Sequence, residues 1–347
     1  MTSGVNRQWV LAERPDGAID EHTFALRQSP IPEPAEGEAL VRVVWLGIDA
    51  TQRTWLNDDR TYISPVQVGE VMRGSGVGYV VSSRTERLNE GDWVYGITGW
   101  QEYVLTGDEG LFGLNPVPPG IDPKALLGVF GVNGLTAYFG MTDIGKAAEG
   151  ETVLVTGAAG GVGSIAGQIA KALGCRVIGT AGGPDKVRWV TETANFDAAI
   201  DYKSEDVESR LRELAPDGLD VVFDNVGGAM LEAALANIAL HARIVLSGGV
   251  SSGYVRGTYG HTPRNYMELA FRRARMEGFI FLDYVSRFPE ALGRLVTWVN
   301  EGKIVYVEHI ADGLDQAPQA LQGLFEGRNL GKQLVQVSHD IPAPLAS

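Results

Sequence analysis

The chain has 347 residues, and 43 acidic against 29 basic side chains leave a formal net charge of −14. That balance disfavours nucleic acid and anionic membrane surfaces as partners, because both repel an acidic protein. Apolar residues make up 44% and charged residues 21% of the chain, an ordinary globular composition, and the length predicts two domains. A single cysteine, Cys175, excludes a disulfide within the chain and a cysteine-built structural zinc site, fits a reducing cytosol, and reads as a packing residue. The opening stretch MTSGVNRQWVLAERP has no apolar signal core and no run reaches transmembrane length, so a cytoplasmic location is expected.

In chain order, residues 1–125 read as β-rich. Short runs rich in Val, Trp and Tyr at Trp9–Leu11, Ala39–Leu46, Val77–Val81, Asp92–Ile97 and Gln101–Leu105 are separated by Gly, Pro, Asp and Asn. They predict a barrel-like domain. Residues 30–37 (PIPEPAEG) form a solvated turn segment, Pro116–Gly120 is a break in composition, and Lys124–Tyr138 is predicted as a helical linker into the second domain, 126–302.

From residue 150 the pattern changes to strands alternating with helices. The strands are Thr152–Thr156, Arg176–Thr180, Ala198–Asp201, Asp220–Phe223, Ala242–Ser247 and Gly278–Phe281. The helices are Val162–Leu173, Pro184–Thr193, Glu205–Leu214, Met230–Leu240 and Arg287–Glu301. This spacing predicts an α/β domain with a doubly wound parallel sheet and right-handed crossovers. The sixth strand, apolar and at an open edge, predicts a two-fold homodimer. Residues 303–347 form a tail that holds two strands and a helix within Ile304–Val337 and is expected to return to the first domain.

The stretch Glu151–Thr180, ETVLVTGAAGGVGSIAGQIAKALGCRVIGT, is the most informative. Gly157, Gly160 and Gly163 form G-x-x-G-x-x-G between a strand and a helix, with Gly161 and Val162 inside the turn. Such glycines let the backbone turn, approach a pyrophosphate and pack helix on strand. The helix then offers the pyrophosphate its free N–H groups and its positive dipole end. At the end of the second strand an NAD site carries an acidic residue for the ribose hydroxyls. Here that strand ends Thr180-Ala181-Gly182-Gly183, which leaves room for a 2′-phosphate and points to NADPH. Lys186 stands in the first turn of the next helix, where a cation is badly placed for the helix dipole; pairing to phosphate would explain it, and so would a plain solvated surface lysine beside Asp185. Tyr202 offers a phenol to the same phosphate or packs as an ordinary tyrosine.

Several stretches together identify a resemblance: RQWVLAERP, GLTAYFG at 134–140, GETVLVTGAAGGVGSIAGQIAK at 150–171, FDNVGG at 223–228, RIVLSGGVSSGY at 243–254 and RNLGKQ at 328–333. Nearly end to end, the chain resembles the medium-chain dehydrogenase/reductases, in the zinc-free double-bond reductase branch of prostaglandin, plant alkenal and bacterial curcumin reductases. The resemblance implies a GroES-like catalytic domain built from both chain ends around a Rossmann domain. It implies a metal-free NADPH-dependent reduction of α,β-unsaturated ketones and aldehydes. It also implies that Lys186 and Tyr202 hold the 2′-phosphate, that Thr136, Gly182, Asn225, Ser247 and Asn329 join the cofactor site, and that Tyr254 is the active-site tyrosine. Three positions depart from the family pattern: Thr51 replaces a substrate-side tyrosine, Ser75 a second pocket aromatic found in plant members, and Asn133 a proline before GLTAY.

The implied chemistry is hydride delivery to the β-carbon of a conjugated enone, with negative charge moving onto the carbonyl oxygen. Donors aimed at that oxygen stabilise the transition state, and the candidates are the Tyr254 hydroxyl and the nicotinamide ribose hydroxyl. A quinone reductase on the same scaffold shares every cofactor motif. A zinc alcohol dehydrogenase is disfavoured by one cysteine and by the scattered His22, His241, His261, His309 and His339. A nucleotide-binding protein without turnover stays open because the pocket positions are changed.

Overall fold

The computed structural model describes residues 4–59, 61–107, 110, 112–255 and 263–341. His261 lies outside them. The described residues fall into two compact units, one from Met1–Leu127, His309–Arg328 and Gln333–Ser347, the other from Gly128–Glu308 and Asn329–Lys332. No described helix is long and apolar enough to cross a membrane.

The first unit is β-rich. Strands β1 (Val5–Leu11) and β2 (Phe24–Pro30) pair antiparallel as a ribbon. β2 has no signature in the sequence, because FALRQSP is largely exposed and does not alternate. β3 (Ala39–Ile48), β4 (Ser75–Ser83), β5 (Trp93–Ile97), β6 (Tyr103–Leu105) and β7 (Asn115–Pro116) enter a larger sheet. β3 is buried almost throughout, since both its faces carry core. On one side Leu46 and Ile48 join Leu11, Phe24, Trp55, Met72 and Trp100; on the other Val44 and Trp45 join Val77, Leu127 and Leu334. A 3-10 turn, Ala50–Leu56, follows β3, closed at its start by a reciprocal capping box between Asp49 and Gln52.

The second unit contains a six-stranded parallel sheet. Its strands are β8 (Thr152–Val155), β9 (Arg176–Ala181), β10 (Ala198–Asp201), β11 (Leu219–Asp224), β12 (Ile238–Leu246) and β13 (Arg275–Gly278), in the order β10-β9-β8-β11-β12-β13. This is the doubly wound dinucleotide order, with the change of direction at β8. Its helices are α1 (Val132–Phe139), α2 (Gly161–Ala172), α3 (Pro184–Arg188), α4 (Val207–Leu214), α5 (Gly228–Leu235), α6 (Glu268–Phe271) and α7 (Phe288–Asn300). Gly167 lets α2 pack directly on the ring of Phe196, from the segment before β10; a Cβ there would stand 1.9 Å from that ring. Beyond the sheet, β14 (Glu308–Asp312), α8 (Ala317–Phe325) and β15 (Lys332–Gln336) complete the chain. In the first unit's sheet the order is β14-β15-β3-β4-β5-β7, with β6 also on β3.

Four elements differ from the sequence expectation. The predicted linker helix is a 3-10 turn, Pro123–Leu127, followed by α1, with Gly128 and Gly131 between them. α3 ends at Arg188 and continues as a π-turn over Trp189–Thr193. α5 stops at Leu235, where Asn237 turns its amide onto the Ala233 carbonyl 2.9 Å away, and β12 begins at once. The sixth strand is Arg275–Gly278, in register with Arg243–Leu246, rather than Gly278–Phe281. The apolar run that suggested a strand leaves the sheet to build an aromatic cluster. Tyr284 stacks on Phe139 at 4.4 Å, with Phe279 edge-on to Tyr284 and Phe281 stacked on Phe288.

Candidate active site

The glycine turn is built as its sequence requires. Gly157 has φ +62°, open to glycine at little cost, and a Cβ on Gly163 would sit 2.3 Å from the Gly157 carbonyl. α2 starts at Gly161 after Gly160 with no side-chain cap, so the amides of its first turn, Val162 and Gly163 among them, are not occupied by a capping side chain. A dinucleotide pyrophosphate fits that turn and helix end. α1 runs against α2. Asn133 lays its amide 3.3 Å from where a Cβ of Gly161 would be, and half-buried Thr136 follows one turn later on the same face of α1.

Two more segments close on the turn. Gly331 bridges Gly160 and donates its N–H to the Ala159 carbonyl at 2.7 Å, which brings buried Asn329 to the site. Asn329 donates its amide to the Gly331 carbonyl at 2.8 Å. Beyond β11, Asn225 donates its side-chain amide to the Thr156 carbonyl and its own N–H to Thr156 Oγ1, both at 2.8 Å. Asp224 lies beneath, fully buried, and accepts from Thr156 Oγ1 at 2.7 Å and from the Val226 and Gly227 amides. Burial pushes this carboxyl above the usual carboxylate range, against those hydrogen bonds.

The end of β12 completes the row. Ser247 donates its N–H to the Asp224 carbonyl at 2.9 Å. Tyr254 is held at φ +51°, and its phenol oxygen accepts the Gly249 N–H at 2.9 Å. A Cβ on Gly248 would stand 2.9 Å from that phenol and 3.2 Å from the Asn225 carbonyl. Gly157, Gly160, Asn225, Ser247, Tyr254 and Asn329 therefore gather around the C-terminal ends of β8, β11 and β12, where ligands of open parallel sheets bind.

The second cradle lies past β9. Gly182 is crowded by Tyr202 and Lys203: a Cβ there would be 2.6 Å from Tyr202 Oη and 3.0 Å from Lys203 Cε. Lys186 is half-buried, and burial with the nearby Lys203 charge lowers its pKa. Asp185, a concern for any phosphate here, forms an exposed pair with Arg188 at 3.2 Å. Asp201, opposite Ala181 in the sheet register, turns its carboxylate into backbone and accepts the Gly183 and Lys203 amides at 2.8 and 3.0 Å.

The remaining two positions belong to the first unit. Thr51 lies in the 3-10 turn after β3 and Ser75 opens β4. Their chain neighbours approach: a Cβ on Gly74 would be 3.1 Å from the Gln52 amide nitrogen. The Thr51 hydroxyl is 2.6 Å from the phenol of Tyr62. Sequence reasoning did not single out Tyr62 or Lys203, because each is brought to its site by a loop whose path no local pattern records. Among the described residues no three His, Cys, Asp or Glu side chains gather as metal ligands. Cys175 is buried, its thiol pushed up to about 11 by burial.

Known proteins are similar to this chain over nearly its whole length. Residues 7–114 match a family model described as the N-terminal domain of oxidoreductase, and residues 161–297 match one described as zinc-binding dehydrogenase. The NADPH-dependent curcumin reductase of Escherichia coli (strain K12) is 40% identical over 339 residues, spanning 96% of this chain and 98% of that protein. The chain belongs to the double-bond reductase branch of the medium-chain dehydrogenase/reductases. Within that branch, the NADP(+)-dependent 2-alkenal reductase of Nicotiana tabacum is 37% identical, over 96% of this chain and 98% of that one. Among solved structures, CurA from Vibrio vulnificus in complex with NADPH aligns with a TM-score of 0.89 at 41% identity, covering 96% of this chain and 99% of that chain. The doubly wound sheet and the β-rich first unit are those of the family.

Proposed function

We propose that this protein is an NADPH-dependent reductase of the C=C bond in α,β-unsaturated ketones or aldehydes, and that it works without a metal ion. The observation that carries the reading is the row of residues at the strand ends, with Tyr254 beside Asn225 and the glycine turn. The cofactor is NADPH, which when bound supplies the hydride. Gly157, Gly160, Gly161, Val162 and Gly163 receive its pyrophosphate, Lys186, Tyr202 and Gly182 its 2′-phosphate, and Thr136, Asn225, Ser247 and Asn329 its nicotinamide half. As the double bond is reduced, negative charge grows on the substrate carbonyl oxygen. Tyr254 donates its O–H to that oxygen. Because the phenol oxygen already accepts the Gly249 N–H, its O–H is polarised and is the stronger donor. Proton transfer to the α-carbon from solvent completes the reaction.

A turnover screen tests this reading. NADPH oxidation is expected with enones and enals and not with quinones, and it is expected to survive exhaustive chelation. Turnover of quinones alone would reassign the enzyme, and binding of NADPH with no turnover on any acceptor would make it a nucleotide-binding protein.

Thr51 and Ser75 are proposed to contact substrate. Thr51→Tyr has to displace the Tyr62 phenol that now meets the threonine hydroxyl, so Thr51→Tyr and Ser75→Tyr are expected to shift the ranking of a substrate panel towards slimmer enones. An unchanged ranking of kcat/KM values would remove both positions from the pocket.

A homodimer is also proposed, on different grounds from those the sequence suggested. The edge strand β13 carries Arg275 and Glu277 rather than an apolar run, and Tyr266, Met267 and Phe271 are exposed just before it. Two-fold antiparallel pairing about Met276 would set Arg275 of one copy across from Glu277 of the other and cover those side chains. Light scattering at micromolar concentration is expected to give twice the chain mass, and Met276→Pro, which lacks the ladder N–H, is expected to give the monomer.

A further inference from the structure

Deepening the cofactor reading above, we infer that Lys203 is a second cationic determinant of the 2′-phosphate site, acting with Lys186 and Tyr202 around Gly182. Three observations carry it. Lys203 and Tyr202 both arch over Gly182, so closely that a Cβ there would meet them at 3.0 and 2.6 Å. The loop that presents Lys203 is tied to the end of β9, because one Asp201 oxygen accepts both the Gly183 and the Lys203 amides. And Lys186 feels the Lys203 charge as a like-charge neighbour.

Two ammonium groups held within reach of each other's charge repel, and a half-buried one also loses hydration. A dianionic phosphate entering between them converts the repulsion into two attractions, whereas a ribose hydroxyl does not. Asp201 pairs with Ala181 at this end of the sheet, and its lowered pKa follows first from the Gly183 and Lys203 amides it accepts, with the Lys203 charge a smaller cause. Its charge is thus anchored to backbone at the base of the loop while the Lys203 side chain extends over Gly182. The site discriminates by charge from two sides, and Gly182 is the residue that keeps room for it.

The test uses the full chain and a readout apart from turnover: calorimetric binding of adenosine 2′-monophosphate and adenosine 5′-monophosphate. Lys203→Ala is expected to weaken the 2′-monophosphate about 2- to 5-fold, the upper part of the range of one exposed ion contact. It should also flatten the dependence of that affinity on salt, and leave the 5′-monophosphate unchanged; Lys203→Arg is expected to restore binding. Wild-type affinity and salt dependence in Lys203→Ala, with Lys186→Ala weakened, would overturn the role of Lys203 and leave the cofactor reading standing. A wild-type protein that binds both monophosphates equally would overturn the cofactor reading and this inference together.

Discussion

Replacing Lys186 with alanine is expected to raise the KM for NADPH about tenfold or more and to leave NADH nearly untouched. The expectation rests on where the side chain stands. Lys186 is half-buried near the Lys203 charge, Tyr202 and Lys203 crowd Gly182, and β9 ends without a carboxylate. An exposed lysine–phosphate contact contributes about 1 kcal/mol, and a partly buried, hydrogen-bonded one roughly 1.5–3 kcal/mol. With Tyr202 included, the wild-type enzyme should favour NADPH by roughly 10²–10³ in kcat/KM, at 1.4 kcal/mol per factor of ten. Asp185 subtracts little, since Arg188 pairs with it. The asymmetry between cofactors is the decisive feature, because a folding defect harms both. Equal losses with NADPH and NADH, or a wild-type preference for NADH, would overturn the assignment.

What was legible in the sequence was what local chemistry dictates. β8 and α2 could be read because β-branched residues, spaced glycines and an apolar helix follow one another without interruption, and the backbone has few other ways to join them. Gly163 was legible for the same reason, because the Gly157 carbonyl leaves no room there for a Cβ; Asn225 was named only through the family resemblance, and stands where its N–H donates to Thr156 Oγ1. The sixth strand was misplaced because periodicity does not separate an apolar edge strand from an apolar loop; Phe279 and Phe281 are apolar for packing on other aromatic rings. β2 was invisible because only Phe24 enters the core, and the residues after it are largely exposed along their pairing with β1. Tyr62 and Lys203 were invisible in another way. Each is an ordinary loop residue whose importance comes from one contact, to Thr51 in the first unit and to the space over Gly182 in the second. Such contacts are made by the fold and leave no spacing to read.

Tyr254→Phe is expected to lower kcat by roughly 10- to 1,000-fold, the range for one lost donor to a developing oxyanion. The ring and its packing stay, and a left-handed backbone at residue 254 is no harder for phenylalanine than for tyrosine. The variant loses two things together: the O–H that donates to the substrate oxygen, and the oxygen that accepts the Gly249 N–H at 2.9 Å. The second loss by itself loosens the 249–254 loop, which also rests on the 225–226 segment through the Val250 and Ser251 amides. A loosened loop would weaken NADPH binding, since Ser247 and Asn225 border it. A missing donor lowers kcat with the NADPH dissociation constant nearly unchanged, because the ground-state cofactor makes no use of that proton. The measurement is therefore a pair: single-turnover hydride transfer, followed by loss of NADPH absorbance, and NADPH binding by fluorescence. A slowed hydride step with intact binding assigns Tyr254 to the transition state. An unaltered hydride step, under conditions where it limits the rate, would leave Tyr254 as the residue that anchors Gly249, and the donor to the substrate oxygen would have to be sought elsewhere.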